Sequence, residues 1–180
     1  LFDYVPFIIL LGALFVVTGG IHIGGDIEAK PATNTALLAL GFVLASIMGT
    51  TGAAMLLIRP LIEINKERKY KVHTILFFIG LVANCGGLLT PLGDPPLFLL
   101  YLRGAEFSWF MGLMPEWLFV GVLLLIIYFL TDCYLYYRKE EMVNIIADVH
   151  YKEPIKITGK INVIYLVGII LSVSFLNPTY

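Results

Sequence analysis

Asn84, Thr90 and Asp94 place an amide oxygen, a hydroxyl and a carboxylate within one short apolar stretch, Ala83 to Arg103, reading A-N-C-G-G-L-L-T-P-L-G-D-P-P-L-F-L-L-Y-L-R. Hard oxygen donors of this kind hold small cations. The stretch lies inside an apolar segment that begins near His73, yet its centre cannot remain helical. Gly86 and Gly87 lower helix propensity, and Pro91, Pro95 and Pro96 remove backbone donors. In hydrocarbon each free N–H or C=O costs several kcal/mol, so unwound peptide persists there only where it is buried in protein or lines a cavity or ion site. The carbonyls freed from Gly86 to Leu92, including Gly87, join the donor set. Pro95 holds Asp94 extended, which is also N-cap geometry, so Pro91-Leu-Gly93-Asp-Pro-Pro reads as the end of a break and the start of a second half-helix. Two readings of Asp94 stay open, a plain helix cap and a cation-binding carboxylate. An ionisable residue inside a membrane span marks a functional site by default.

A second interruption falls in the apolar segment Thr35 to Ile58, where Gly49-Thr50-Thr51-Gly52 permits a tight turn with Ser46 just upstream. The segment is either one helix with a polar middle or two short arms meeting at Gly49 to Gly52 as a re-entrant hairpin. The glycine-bracketed threonines favour the hairpin.

These polar breaks are set in a strongly apolar chain. Its 180 residues are 59% hydrophobic and 14% charged, with mean hydropathy +0.89, against about 45–50% and 25% for soluble domains. An integral membrane protein follows, with the lipid bilayer as its first partner. A net charge of -1 and the absence of an arginine-rich tract set nucleic acid aside. Cys85 and Cys133 lack metal-ligand spacing and read as packing residues. His22, His73 and His150 join no catalytic motif, so an enzyme is not expected, nor is a cofactor. His73 and His150 are expected to be solvated, and His22 to pack at the interface or relay protons.

Tyr4 to Ile23 is long enough to span, and Gly24 to Asn34 is a polar connection in which Asn34 and Thr35 are expected helix caps. Residues 59–73 hold five basic residues, and 138–160 hold Arg138, Lys139, Lys152, Lys156 and Lys160, which places both loops on the cytoplasmic side as ordinary solvated charge. Between them the broken segment crosses outward, Gly104 to Glu116 reads as an aromatic helix in the interface, and Trp117 to Tyr137 returns. Asp132 is expected at the headgroups beside Arg138, Ile161 to Leu176 begins another span, and Met48, Met55, Met111 and Met114 read as packing or lipid-facing residues. The chain does not start with Met and stops soon after an apolar run, so it is expected to be an excerpt, a single transmembrane domain over 1–180.

Gly49-Thr-Thr-Gly-Ala-Ala-Met-Leu-Leu-Ile-Arg-Pro, followed by Asn84-Cys-Gly-Gly-Leu-Leu-Thr-Pro-Leu-Gly-Asp-Pro-Pro-Leu-Phe-Leu, resembles the citrate-transporter-like group of the ion transporter superfamily, and most nearly its bacterial sodium/proton antiporter-type members. The resemblance implies an all-α integral membrane protein with one re-entrant hairpin and one broken helix, the first half of an inverted-repeat transporter. It further implies a bacterial inner-membrane location, a homodimer, and sodium and protons as the small cations handled. Under it, Ser46, Gly49, Thr50 and Thr51 form the hairpin tip, Asn84, Gly87, Thr90, Gly93 and Asp94 form the facing loop, and Asn84, Thr90 and Asp94 are sodium ligands. The implied activity is secondary active sodium/proton antiport by an elevator-like movement. The alternatives are sodium- or proton-coupled uptake of citrate or another dicarboxylate, and arsenite-type anion permeation. Dicarboxylate carriers typically show Ser-Asn-Thr at the tip and a neutral residue at the position of Asp94. Gly-Thr-Thr with a carboxylate makes a poorer site for an anion and a better one for a cation.

Overall fold

The computed structural model describes residues 4–150 and 153–175; Lys152 of the second basic loop and Leu176 of the last expected span lie outside them. Helices dominate. Pro31–Met48, Val72–Leu89 and Phe107–Lys139 are long and apolar enough to cross a membrane, and Tyr4–Gly19 and Lys160–Val173 are shorter apolar helices. The first segment is shorter than its apolar composition suggests. Helix α1 covers Tyr4–Gly19 because the Gly19–Gly20 pair ends it, and the next residues form strand β1, His22–Asp26.

The hairpin is built from α2, Pro31–Met48, and α3, Thr50–Ile64. Pro31 sits in the first turn of α2, where its missing N–H leaves no helical bond unmade. The arms part at Gly49, whose φ of 82° lies in the left-handed region that glycine enters without a Cβ clash. At about 1.5 Å per residue the arms reach roughly 27 and 22 Å from the tip, and their far ends are tied together. Asn34 Nδ2 donates to Asn65 Oδ1 at 2.7 Å and Asn65 Nδ2 donates to Asn34 Oδ1 at 2.9 Å. Asn34 is therefore no cap: it lies in the first turn, fully buried, and Lys30 stands at the cap position. Thr35 bonds back to the Pro31 carbonyl. A reciprocal amide pair wins here because each buried amide satisfies the other, whereas an unsatisfied one costs about 1–3 kcal/mol.

The broken segment consists of α4, Val72–Leu81, a 3₁₀ turn at Cys85–Leu89, an irregular stretch, and α5, Pro95–Leu102. After it come α6, Phe107–Met111, and α7, Met114–Thr131, which runs on through a π-turn at Asp132–Tyr136. The expected interfacial helix is thus a single short turn, and the span begins at Met114 with Pro115 in its first turn. Trp109 is exposed, but Trp117 is buried, stacked on Phe42 with ring centroids 4.3 Å apart.

Helix α8, Met142–His150, and strand β2, Glu153–Thr158, precede α9, Lys160–Phe175. β2 pairs antiparallel with β1, from His22 opposite Thr158 to Asp26 opposite Glu153. This two-stranded sheet joins an otherwise helical membrane fold, and Gly24 and Gly25 accommodate the bulge in β1. Side-chain contacts draw the same segments together. Lys66 Nζ lies 2.8 Å from Asp26, the Ala29 amide donates to Asp148 at 2.9 Å, and Lys69 Nζ lies 3.0 Å from Glu141. The end of α1, both outer ends of the hairpin, the start of α4 and the end of α7 therefore meet at one end of the bundle. The hairpin tip lies far from that end.

Candidate functional site

The hairpin tip meets the break in the second helix, and backbone chemistry explains why the two fit. Pro95 and Pro96 have no N–H, so the carbonyls of Pro91 and Leu92, their would-be partners one turn back, receive no helical bond. The start of α3 fills the neighbouring position: the Thr50 amide donates to the Gly93 carbonyl at 2.9 Å. This contact needs glycine on both sides of the loop. A Cβ at Gly93 would fall 1.7 Å from the Gly87 carbonyl oxygen, and one at Gly87 would fall 2.7 Å from Thr50 Cγ2.

Asp94 stands at the N-cap of α5 with extended backbone, φ -142° and ψ 146°, as the following proline requires. Its carbonyl accepts the Leu97 and Phe98 amides, each at 3.1 Å. Its side chain makes no capping hydrogen bond to α5. Instead Thr50 Oγ1 donates to Asp94 Oδ1 at 2.6 Å, across the junction of tip and loop. The carboxylate is thus set where the N-terminal ends of α3 and α5 meet, and both helix ends favour negative charge there.

The other expected site residues divide into two groups. Ser46 Oγ donates to the Gly86 carbonyl, Thr90 Oγ1 donates to the Ser46 carbonyl, and Trp117 Nε1 adds a second donor to Gly86 at 3.1 Å. These bonds fasten the loop to the hairpin and to α7, and they occupy the Gly86 carbonyl that was expected to be free. Asn84 is exposed and donates back to the Ile79 carbonyl at 2.8 Å. The three expected sodium ligands are therefore not drawn to one point. The Leu92 carbonyl faces Gly49 at the tip.

Asp94 lies between two cavities. One, of about 440 Å³, is lined by Gly49 to Gly52, Pro91 to Pro95, α1 residues between Phe7 and Val16, and Phe98; Thr51 borders it. The other, of about 390 Å³, is lined by Asn84, Cys85, Leu88, Asp94 and Trp117 among others. Among the described residues neither lining contains Lys, Arg or His, and Asp94 is the only Asp or Glu.

A second polar cluster escaped the sequence reading. Arg68 Nη1 and Nη2 donate to the two Asp132 oxygens at 3.0 and 2.5 Å, and His73 Nε2 lies 2.8 Å from Asp132 Oδ1. Arg68, His73 and Asp132 are 5%, 7% and 0% exposed, which corrects the expectation of solvated loop charge, a solvated histidine and an aspartate at the headgroups. His73 is stacked on Tyr136 with centroids 4.0 Å apart, while Thr74 and the Tyr128 hydroxyl, 3.1 Å apart, close the other side. Glu140 lies 3.9 Å from Arg68 Nε and accepts the Tyr70 amide at 2.9 Å. The cluster anchors the loop after the hairpin and the start of α4 to the end of α7. Asp132 within an apolar helix was the available signal, since a buried charge requires a partner. The remaining loop charge is ordinary by comparison: hydrogen bonds from Lys66 to Asp26 and Glu63 hold that exposed ammonium well above the usual lysine value.

Residues 1–179 match the family described as "Putative citrate transport". The chain is also similar to the inner membrane protein YbiR of Escherichia coli strain K12, with 28% identity over 138 residues, 70% of this chain and 37% of the relative. The chain thus spans little more than a third of the length of that relative. No solved structure matches it.

Proposed function

The chain belongs to the citrate-transport family that it matches along its length, and from that premise we propose that it forms half of the ion path of a secondary active transporter exchanging sodium for protons. One observation carries the choice of ion: the only Asp, Glu, Lys, Arg or His lining either cavity at the tip-to-loop junction, among the described residues, is Asp94. A carboxylate in an apolar, half-buried setting attracts a cation and repels a polyanion. Sodium is held by Asp94, the Thr50 hydroxyl and the Leu92 carbonyl. A proton arriving at Asp94 cancels its charge and releases the ion, so the two compete and their fluxes are opposed. The hairpin is re-entrant: with both basic loops cytoplasmic, its base lies on that side and its tip at mid-depth. Hairpin and broken helix move together as one body, and a second, inverted pair completes the site. A homodimer in a bacterial inner membrane is the proposed setting, the location being that printed for the relative.

The second reading is cation-coupled uptake of citrate or a related carboxylate, favoured by the description of the family. In that case sodium at Asp94 neutralises the site and Thr51, bordering the larger cavity, meets the anion.

The test uses the full-length protein in inverted membrane vesicles with a pH-sensitive dye. Sodium or lithium should collapse an imposed acid-inside gradient, Asp94→Asn should abolish the response, and Thr50→Val should weaken it. Silence toward all cations, together with sodium-dependent accumulation of labelled citrate, would transfer the protein to the second reading.

A further inference from the structure

The bundle end that gathers the basic loops contains a third cavity, of about 480 Å³, between the end of α1, the outer half of α3 and the small sheet. Arg59, Lys156 and His22 border it, and Ile21, Met55 and Ile58 contribute apolar lining; no carboxylate faces it among the described residues. Arg59 and Lys156 differ from the ion-paired cations at this end of the bundle. Lys30 is paired with Glu28, Lys66 with Asp26 and Glu63, Arg68 with Asp132 and Lys69 with Glu141, whereas neither Arg59 nor Lys156 has an acidic partner among the described residues. Both are exposed, on different elements, beside the same opening.

We propose that this cavity binds the headgroup of an anionic phospholipid of the cytoplasmic leaflet. Depth, charge and apolarity agree. Arg59 lies five residues before the end of α3, about 7 Å along the axis from the hairpin base, which is headgroup level when that base faces the cytoplasm. The Arg59 guanidinium offers paired donors suited to two phosphate oxygens, and Lys156 a point charge. The isoleucine and methionine side chains accept the first methylenes of the acyl chains. Each basic residue close to an anionic membrane strengthens attachment about fivefold, so the pair together supplies roughly 25-fold. The site is separate from Asp94: Thr50 and Arg59 are nine residues apart on α3, about 13 Å along its axis. A lipid held here bridges α1, α3 and the sheet at the base of the hairpin. The inference rests on the membrane location and not on which ion is carried.

The test compares thermal unfolding of the purified full-length protein in detergent after adding phosphatidylglycerol, phosphatidylcholine, inorganic phosphate or citrate. Phosphatidylglycerol should raise the midpoint and phosphatidylcholine should not. Arg59→Gln/Lys156→Gln should bind phosphatidylglycerol roughly 25-fold more weakly, while a Lys139→Gln control keeps the wild-type response. Equal shifts with both lipids, or an undiminished response in the double variant, would overturn the proposal. So would phosphate or citrate matching phosphatidylglycerol, which would make this a soluble-anion site. Should the double variant fail to fold, native mass spectrometry of the wild type decides: preferential retention of phosphatidylglycerol supports the site, and indifference between the lipids rejects it.

Discussion

Asp132→Asn isolates the anchor between the loop after the hairpin and α7. Asp132 is fully buried and accepts from both terminal nitrogens of Arg68, itself 5% exposed, and from His73. The amide keeps one acceptor oxygen but turns an N–H₂ toward one of the guanidinium donors. Arg68 is left as a buried cation whose nearest remaining carboxylate, Glu140, is 3.9 Å from Nε. Removing one member of a buried pair costs about 3–5 kcal/mol. Glu140 offsets part of that, so a loss of about 3 kcal/mol is expected, which lowers the unfolding midpoint by roughly 6–12 °C for a domain of this size. Thermal unfolding of the full-length protein in detergent measures the shift. Arg68→Met/Asp132→Leu should recover part of the loss, because the buried guanidinium goes with its partner, while Glu140, buried beside it, keeps the hydrogen bonds from the Tyr70 amide and Asn144. A midpoint for Asp132→Asn within about 1 °C of wild type, or a double variant worse than the sum of its two singles, would refute the reasoning.

Gly93→Ala should separate tip from loop, since a Cβ 1.7 Å from the Gly87 oxygen forces the backbone apart and with it the bond from the Thr50 amide. Overpacking of this kind costs about 1–3 kcal/mol, and the sodium-driven proton flux proposed above should fall at least about tenfold for a misplacement near 1 Å; a flux equal to that of the unchanged protein would contradict the assigned contact. Asp148, in α8, has its proton affinity raised, first by burial and then by Glu67, Asp26 and Glu28, against the opposing Ala29 amide. A carboxylate raised in the folded state stabilises it fully below the ordinary carboxylate range, and that contribution is lost as pH rises through the raised value. The Asp148 contribution to the unfolding midpoint should therefore be greater near about pH 4 than near about pH 8. Asp148→Asn, which keeps an acceptor, should flatten that difference; an unchanged pH slope in the variant would remove Asp148 as its source.

Membrane character and both helix breaks were legible in the residues alone, because apolar length and the positions of Gly and Pro act locally. Leu-Gly-Asp-Pro-Pro inside an apolar segment must leave helical bonds unmade, because two successive residues lack an N–H, and Gly49 enters the left-handed region where the two arms part. Three-dimensional folding alone decided what the freed groups meet. The partner of Asp94 is 44 positions away at Thr50, that of Asn34 is 31 away at Asn65, and that of Asp132 is 64 away at Arg68. No local rule links residues so separated. The same distinction explains the misreadings. Asn34 has the residue type of a cap, and Arg68 and His73 have the setting of a wet loop, until the hairpin folds back and α7 closes over them. Burial then reverses the economics of each polar group: a side chain that water would have satisfied must find a protein partner or stay unpaired. Composition and backbone chemistry determined where this chain breaks, and tertiary packing determined which breaks face each other and which charges are sealed between them.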